Sequence, residues 1–231
     1  TYGANGAEYR KEIDDFSRIR SYGTAGTGPA YFVEETKGGR INTYGNTGDS
    51  RIEAQGRSEA AHWMLNRVED RFGNYYTLSY YENNATGTYY PTRIDYTGHA
   101  GQSLAPYASV QFTYENRSDD PIVYQSGVLS HPHPKRLSHI KTYVGATLVR
   151  DTTLTYQEVG PAPQSRLTRV DSCDALGNCQ EPVQFGWLSN GSAGFTATSL
   201  AVPYDTTLAT INIDTYYPYP RWHDLNGNVE R

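Results

Sequence analysis

One plan recurs four times along this chain at a spacing of about 30 residues, and it restricts the fold more than any other feature of the sequence. Each copy begins with a basic residue and a short apolar strand, turns at glycine, and returns on a strand that ends in an aromatic residue. The first runs from Ala60-Ala-His-Trp-Met-Leu-Asn-Arg-Val-Glu-Asp through Arg71-Phe-Gly-Asn to Tyr75-Tyr-Thr-Leu-Ser-Tyr-Tyr. The second is Pro91-Thr-Arg-Ile-Asp-Tyr, a loop at Gly98 to Gly101, and Ser109-Val-Gln-Phe-Thr-Tyr-Glu. The third is Arg136-Leu-Ser-His-Ile-Lys-Thr-Tyr-Val, Gly145, and Leu148-Val-Arg-Asp-Thr-Thr-Leu-Thr-Tyr, and the fourth is Arg166-Leu-Thr-Arg-Val-Asp-Ser-Cys, Gly177, and Pro182-Val-Gln-Phe-Gly-Trp. Units of this size bury their faces only against neighbours. The expected fold is therefore all-β: antiparallel repeated β-hairpins forming a curved sheet whose faces alternate residue by residue.

Hydrophobic residues make up 37% of the 231 residues, with 21 tyrosines and a single methionine. Aromatic rings must then do packing usually done by Leu and Met, and tyrosine buries its ring while keeping its hydroxyl wet. That suits a thin sheet with one solvated face. A net charge of −5 without a basic block argues against nucleic acid as a partner. No apolar run approaches the roughly 20 residues of a membrane-spanning helix, and any export signal is expected outside this sequence.

The chain divides into an N-terminal β-hairpin region (1–59), the repeated hairpins (60–190), and a linker (191–231), with residues 188–210 rich in Ser, Thr, Gly and Ala. Within the first part, residues 8–20 fit both helical and strand spacing and are read as a strand. Ala30-Tyr-Phe-Val-Glu-Glu-Thr, Lys37-Gly-Gly-Arg and Ile41-Asn-Thr-Tyr form a hairpin by turn chemistry. Ala60 to Asp70 is read as one strand. Cys173 and Cys179 flank a tight turn at Asp174 to Asn178, where opposed hairpin positions fall within disulfide range. A disulfide is the expectation; a reduced pair is the alternative, and zinc is poorer because no His lies close in sequence.

Several of these segments, in order, resemble a known family. They are Glu12-Ile-Asp-Asp-Phe-Ser-Arg-Ile, Gly38-Gly-Arg-Ile-x-x-Tyr-Gly, Asp49-Ser-Arg-Ile, Asn66-Arg-Val-Glu-Asp-Arg-Phe-Gly-Asn, and Leu167-Thr-Arg-Val-Asp-Ser-Cys-Asp-Ala-Leu-Gly-Asn-Cys with Phe185-Gly-Trp. The series is similar to the Salmonella virulence plasmid B protein family, which includes the N-terminal part of the B components of insecticidal toxin complexes and is related to Rhs/YD-repeat proteins. The resemblance implies a strip of a large Rhs-like β shell, without chemistry of its own, in a secreted or surface protein of bacteria. It implies as partners the remaining shell segments or other toxin-complex subunits. It also implies that Trp222-His-Asp-Leu-Asn-Gly-Asn-Val-Glu begins an FG-GAP-like module, so that the chain is a fragment or truncated relative.

Sites of chemistry compete with plainer accounts. Asp224, Asn226 and Asn228 have the oxygen spacing of calcium loops, but the later acid is missing unless Glu230 substitutes, and a solvated Asn-Gly turn is the preferred reading. His131 and His133 alternate with prolines that hold an extended loop and point them apart, with His139 beyond. No Gly-x-Ser-x-Gly elbow is present, and Gly23-Thr-Ala-Gly-Thr-Gly lacks the Lys-Ser/Thr pair of a phosphate cradle. The neighbouring carboxylates Asp14/Asp15, Glu34/Glu35 and Asp119/Asp120 point to opposite faces of a strand and read as solvated edges. Arg67, Arg93, Arg136 and Arg166, at the repeat starts, are expected to pair with acids or stack on tyrosines. The sequence thus points to a non-catalytic structural segment without a cofactor. The alternative is a self-associating or partner- or glycan-binding module acting through exposed sheet edges and tyrosine faces.

Overall fold

Alternating β-branched and aromatic residues, interrupted by glycine turns, build an almost entirely β structure. The computed structural model describes residues 3–53, 55–119, 123–125, 128–130, 134–159 and 164–187. The strands are Glu8–Tyr9 (β1), Arg18–Tyr22 (β2), Tyr31–Glu35 (β3), Ile41–Tyr44 (β4), Arg51–Glu53 (β5), Ala60–Trp63 (β6), Leu65–Glu69 (β7) and Asn74–Asn83 (β8). They continue with Thr88–His99 (β9), Ala108–Asn116 (β10), Val123–Gln125 (β11), Val128–Ser130 (β12), Lys135–Val144 (β13), Thr147–Val159 (β14), Gln164–Asp174 (β15) and Val183–Gln184 (β16). Among the described residues twelve of these form one open sheet, β1-β2-β3-β4-β7-β8-β9-β10-β13-β14-β15-β16, and the pairs β5-β6 and β11-β12 stand apart from it. Every pairing is antiparallel, and β4 pairs directly with β7, so the sheet passes without a break from the N-terminal hairpins into the repeats.

Register assigns the faces. Ser79, Arg93, Gln111, Lys141 and Asp151 form one cross-strand row, whereas their neighbours Leu78, Ile94 and Val110 form another. Adjacent residues point to opposite faces, so these rows lie back to back, the second turning polar where it continues into Thr142 and Arg150. Burial is thin on both: Ile52, Val68 and Ala108 are the buried apolar residues described, while Ser21, Glu34, Asn66 and Ser109 are among the buried polar ones. Such a sheet relies on cross-strand pairs and hydrogen bonds more than on a deep core.

Two local expectations are corrected. Residues 8–20 are not one strand: β1 ends at Tyr9, and β2 starts only at Arg18. Phe16 takes a left-handed φ of 64°, its amide bonded to Asp14 Oδ1 at 2.7 Å, and the Ser17 amide bonds Asp15 Oδ1 at 3.0 Å. These aspartate-capped turns compete with the ladder. Residues 60–70 are split at Met64, whose amide bonds Ser50 O at 2.7 Å while its carbonyl accepts the Gly45 amide at 2.9 Å. Trp63 then lies on Gly45, where a Cβ would come within 2.4 Å of the indole, and its Nε1 donates to Pro29 O at 3.1 Å. Only glycine leaves room for that ring.

Candidate functional site

The four sequence copies share one seam. Within each hairpin the ladder stops at the same place: Arg67 opposite Thr77, Arg93 opposite Gln111, His139 opposite Thr153, and Arg169 opposite Gln184. Three residues beyond each of those partners stands an aromatic, namely Tyr80, Tyr114, Tyr156 and Trp187. Each donates its polar hydrogen to the carbonyl two residues before the Arg or His: Tyr80 to Leu65 O at 2.7 Å, Tyr114 to Pro91 O at 2.7 Å, Tyr156 to Leu137 O at 2.7 Å, and Trp187 to Leu167 O at 2.6 Å. A ring with a polar tip thus bridges to the carbonyl where the ladder stops.

The residue between that carbonyl and the Arg or His is bulged in copies two to four, where the register skips Thr92, Ser138 and Thr168. Their hydroxyls return to the adjoining strand, Thr92 to Ser79 O at 3.2 Å, Ser138 to Thr113 O at 3.0 Å, and Thr168 to Thr155 O at 3.1 Å. In copy one Asn66 is skipped and accepts the Asn46 amide at 3.1 Å. Bulges bend a strand and raise its twist, which is why the strands part here. Burial, then neighbouring Tyr90, pushes the Tyr114 phenol up to about 12, and burial likewise raises Tyr80 and Tyr156. The donated protons are therefore held.

The four arginines fall into two classes. Arg67 pairs with Glu69 at 2.7 Å and lies 3.7 Å over the Tyr75 ring, and Arg93 pairs with Asp95 at 2.7 Å. Arg136 and Arg166 instead precede the accepting carbonyl residue and cover the closing ring, Arg136 at 4.8 Å from Tyr156 and Arg166 at 5.8 Å from Trp187. Arg136 also meets Glu115 at 2.6 Å and Glu158 at 3.1 Å. The positions matching Arg67 and Arg93 are His139, bonded to Asp151 at 2.9 Å, and Arg169, paired with Asp171 at 2.6 Å. Sequence reading missed these two, the bulged residues and the accepting carbonyls. Aligning the copies on Leu65-x-Arg, Pro91-x-Arg, Leu137-x-His and Leu167-x-Arg would have exposed them.

Glu34 is not a solvated edge. It is buried, with Lys11 Nζ 2.6 Å from Oε1 and with Asn42 Nδ2 and Tyr44 OH both donating to Oε2 at 2.9 Å. Burial pushes its carboxyl up, but those donors outweigh burial and hold it at about 2. Glu35, on the other face, pairs with Arg18. Asp119 is likewise enclosed: Arg117 holds its carboxyl well below the usual range, helped by the Ser165 hydroxyl and amide, both at 2.6 Å. Cys173 and Cys179 are joined by a disulfide. A shallow groove of about 400 Å³ lies between Arg40, Val68, Tyr76 and Tyr96.

Among the described residues no group of three or more His, Cys, Asp or Glu is placed to hold a metal, and no helix is long and apolar enough to cross a membrane, which says nothing of a β-barrel. Asp224, Asn226, Asn228, His131, His133 and Asp120 lie outside the described residues, as does the whole 191–231 segment.

No family model matches the chain, and no curated protein does. Solved structures do match, in fold. The crystal structure of TcdB2-TccC3-Cdc42 aligns with a TM-score of 0.62 at 16% identity, covering 78% of this chain and 11% of that one. A mutant Tc holotoxin pore of Photorhabdus luminescens gives 0.61 at 16%, with 78% and 11% covered. The N-terminal domain of the effector protein SpvB from Salmonella typhimurium strain LT2 gives 0.58 at 16%, with 72% and 68% covered. The resemblance drawn from the sequence is thus matched at the level of the fold, and the chain spans about a tenth of the two toxin-complex chains.

Proposed function

We propose that this chain is a structural strip of a secreted toxin-related β shell of the Rhs/YD-repeat kind, encapsulating a cargo or partner surface without catalysis. The observation that carries this reading is the seam. In each copy the aromatic polar tip and the bulge side chain are spent on a neighbouring segment, while Arg67, Arg93 and Arg169 each pair with the acid two residues on in their own strand. Side chains committed to one another stiffen a wall. The similar chains belong to toxin complexes and an effector protein, which supports assembly with other subunits and a role outside the producing cell.

The edge at β16 supports the same reading. Among the described residues β16 is the edge strand: Arg169 and Val170 ladder to it, and Thr168 O and Ser172 O accept the Phe185 and Gln180 amides, so a further strand would add at β16. Cross-linking mass spectrometry on the toxin protein containing this chain tests the proposal. Cross-links from β16 to a repeated hairpin outside the twelve-stranded sheet are expected; a β16 linked only to strands of this sheet would sink it. The alternative, a self-associating module, predicts a mass in solution that rises with concentration.

A further inference from the structure

The β5-β6 sheet is fastened to β8 and the turn after it by a small polar joint. Asp49 Oδ2 accepts the Tyr80 amide at 2.7 Å, the Glu53 amide donates to Asn84 Oδ1 at 3.0 Å, and Asn84 Nδ2 donates to Glu53 Oε2 at 3.3 Å. Gln55 Nε2 adds a bond to Ala85 O at 2.8 Å. Glu82 lies on β8 between Tyr80 and Asn84, within electrostatic reach of Glu53 and Asp49, and its Oε2 is shut off from water with no donor to meet it. Such an oxygen is costly while the group is ionised and far less so once a proton removes the charge.

Asp49 and Glu53 come from the segment around β5, and Tyr89 stands opposite on β9 with the His62 ring of β6 at 5.7 Å from its own. Arg51 is the permanent cation of the set, and its Nη1 turns to Gly45 O at 3.3 Å. Burial first, then Glu53 and Asp49, pushes the Glu82 carboxyl up, with Arg51 opposing.

We propose that this joint is an acid-tightened latch: a proton taken up by Glu82 strengthens the hold of the β5-β6 sheet on β8, and its loss toward neutral pH loosens that hold. The folded carboxyl keeps its proton to higher pH than the unfolded chain does. Its contribution is therefore fully present below the ordinary glutamate range and is lost as pH rises through the folded value. Glu34, Asp70 and Asp174 carry the opposite sign, so only a difference measurement isolates the latch.

Urea unfolding of the wild-type chain and Glu82→Gln between neutral pH and about pH 4, with an NMR titration of the Glu82 carboxyl, provides it. Glu82→Gln should be the more stable at neutral pH, and the two should converge in acid. Each pH unit by which the midpoint exceeds that of an unfolded-chain glutamate corresponds to about tenfold in the folding equilibrium. Glu53→Gln should move the midpoint down. A gap independent of pH, or a less stable Glu82→Gln at neutral pH, overturns the proposal. So does stabilisation of the wild type alone by millimolar calcium, which would put a cation in place of the proton. If Glu82→Gln does not fold, the wild-type titration decides, and an ordinary or lowered midpoint overturns it.

Discussion

The turns Asp70-Arg-Phe-Gly-Asn and Asp174-Ala-Leu-Gly-Asn are built alike and held differently. In the first, Asp70 Oδ1 accepts the amides of Phe72 at 2.8 Å and Asn74 at 3.0 Å, and Oδ2 accepts Asn74 Nδ2 at 2.9 Å. In the second, Asp174 makes the same three bonds to Leu176 and Asn178, all at 2.9 Å. Gly73 and Gly177 take φ of 89° and 85°. Around the first turn the fold supplies contacts: Gly73 O accepts the Ala100 amide at 2.7 Å, and the Tyr75 ring is clasped between Arg67 and Gly98. Around Gly177 nothing lies within reach of an added Cβ, and the return strand is two residues long. There the Cys173–Cys179 bond stands where packing does not. The same local chemistry thus closes both hairpins, while tertiary contact fixes one and a covalent link the other.

The strongest way to break this contrast is at Gly98, where a Cβ would come within 2.4 Å of the Tyr75 ring. Gly98→Ala should cost about 3 kcal/mol in urea unfolding, as overpacking does; a loss below about 0.5 kcal/mol would show that the clasp does not matter. Removing the disulfide as Cys173→Ser with Cys179→Ser should cost less, about 2 kcal/mol for so small a loop. The loss should be local, read as faster amide exchange at Phe185 and Gln180 with little change at Tyr76. Equal exchange gains at both turns would contradict a purely local role.

A smaller effect is expected at the seam. Tyr114→Phe leaves Pro91 O without its donor and should cost about 1 kcal/mol, and Trp187→Phe, at the more exposed end, should cost less. Equal losses would show that all closures share one environment. Smallest is the pH response. Hydrogen bonds from Asn74 and from Asn178 lower the carboxyls of Asp70 and Asp174. Their contribution is present above the ordinary aspartate range and is lost as pH falls through the folded value. Asp70→Asn and Asp174→Asn should therefore differ from the wild type at neutral pH and converge with it in acid. Differential unfolding against pH checks this, and Asp174→Asn should show the weaker change while its disulfide is intact.

The turn at Asp174 to Asn178 was legible because turn chemistry is local: a carboxylate, a left-handed glycine and an asparagine act within five residues. Strand existence in the four copies was legible for the same reason. Glu34 was not, because Lys11 and, from β4, Asn42 and Tyr44 reach it from two other parts of the chain, and spacing alone shows only a charged pair on a strand. Nor was the break at Met64, which depends on Ser50 and Gly45 drawing β6 and β7 to different partners.

By itself, then, the sequence determined a repeated antiparallel β chain with glycine turns, a cysteine pair across one of them, and basic residues at the strand starts. Only the tertiary structure decided which acid and which ring each of those basic residues meets, and that the terminal aromatics close the seam on carbonyls 15 to 23 residues away. The physical reason is range. Turn and strand preferences are set by a residue and its near neighbours, whereas a bulge moves a side chain's partner to another strand, where no local pattern records it.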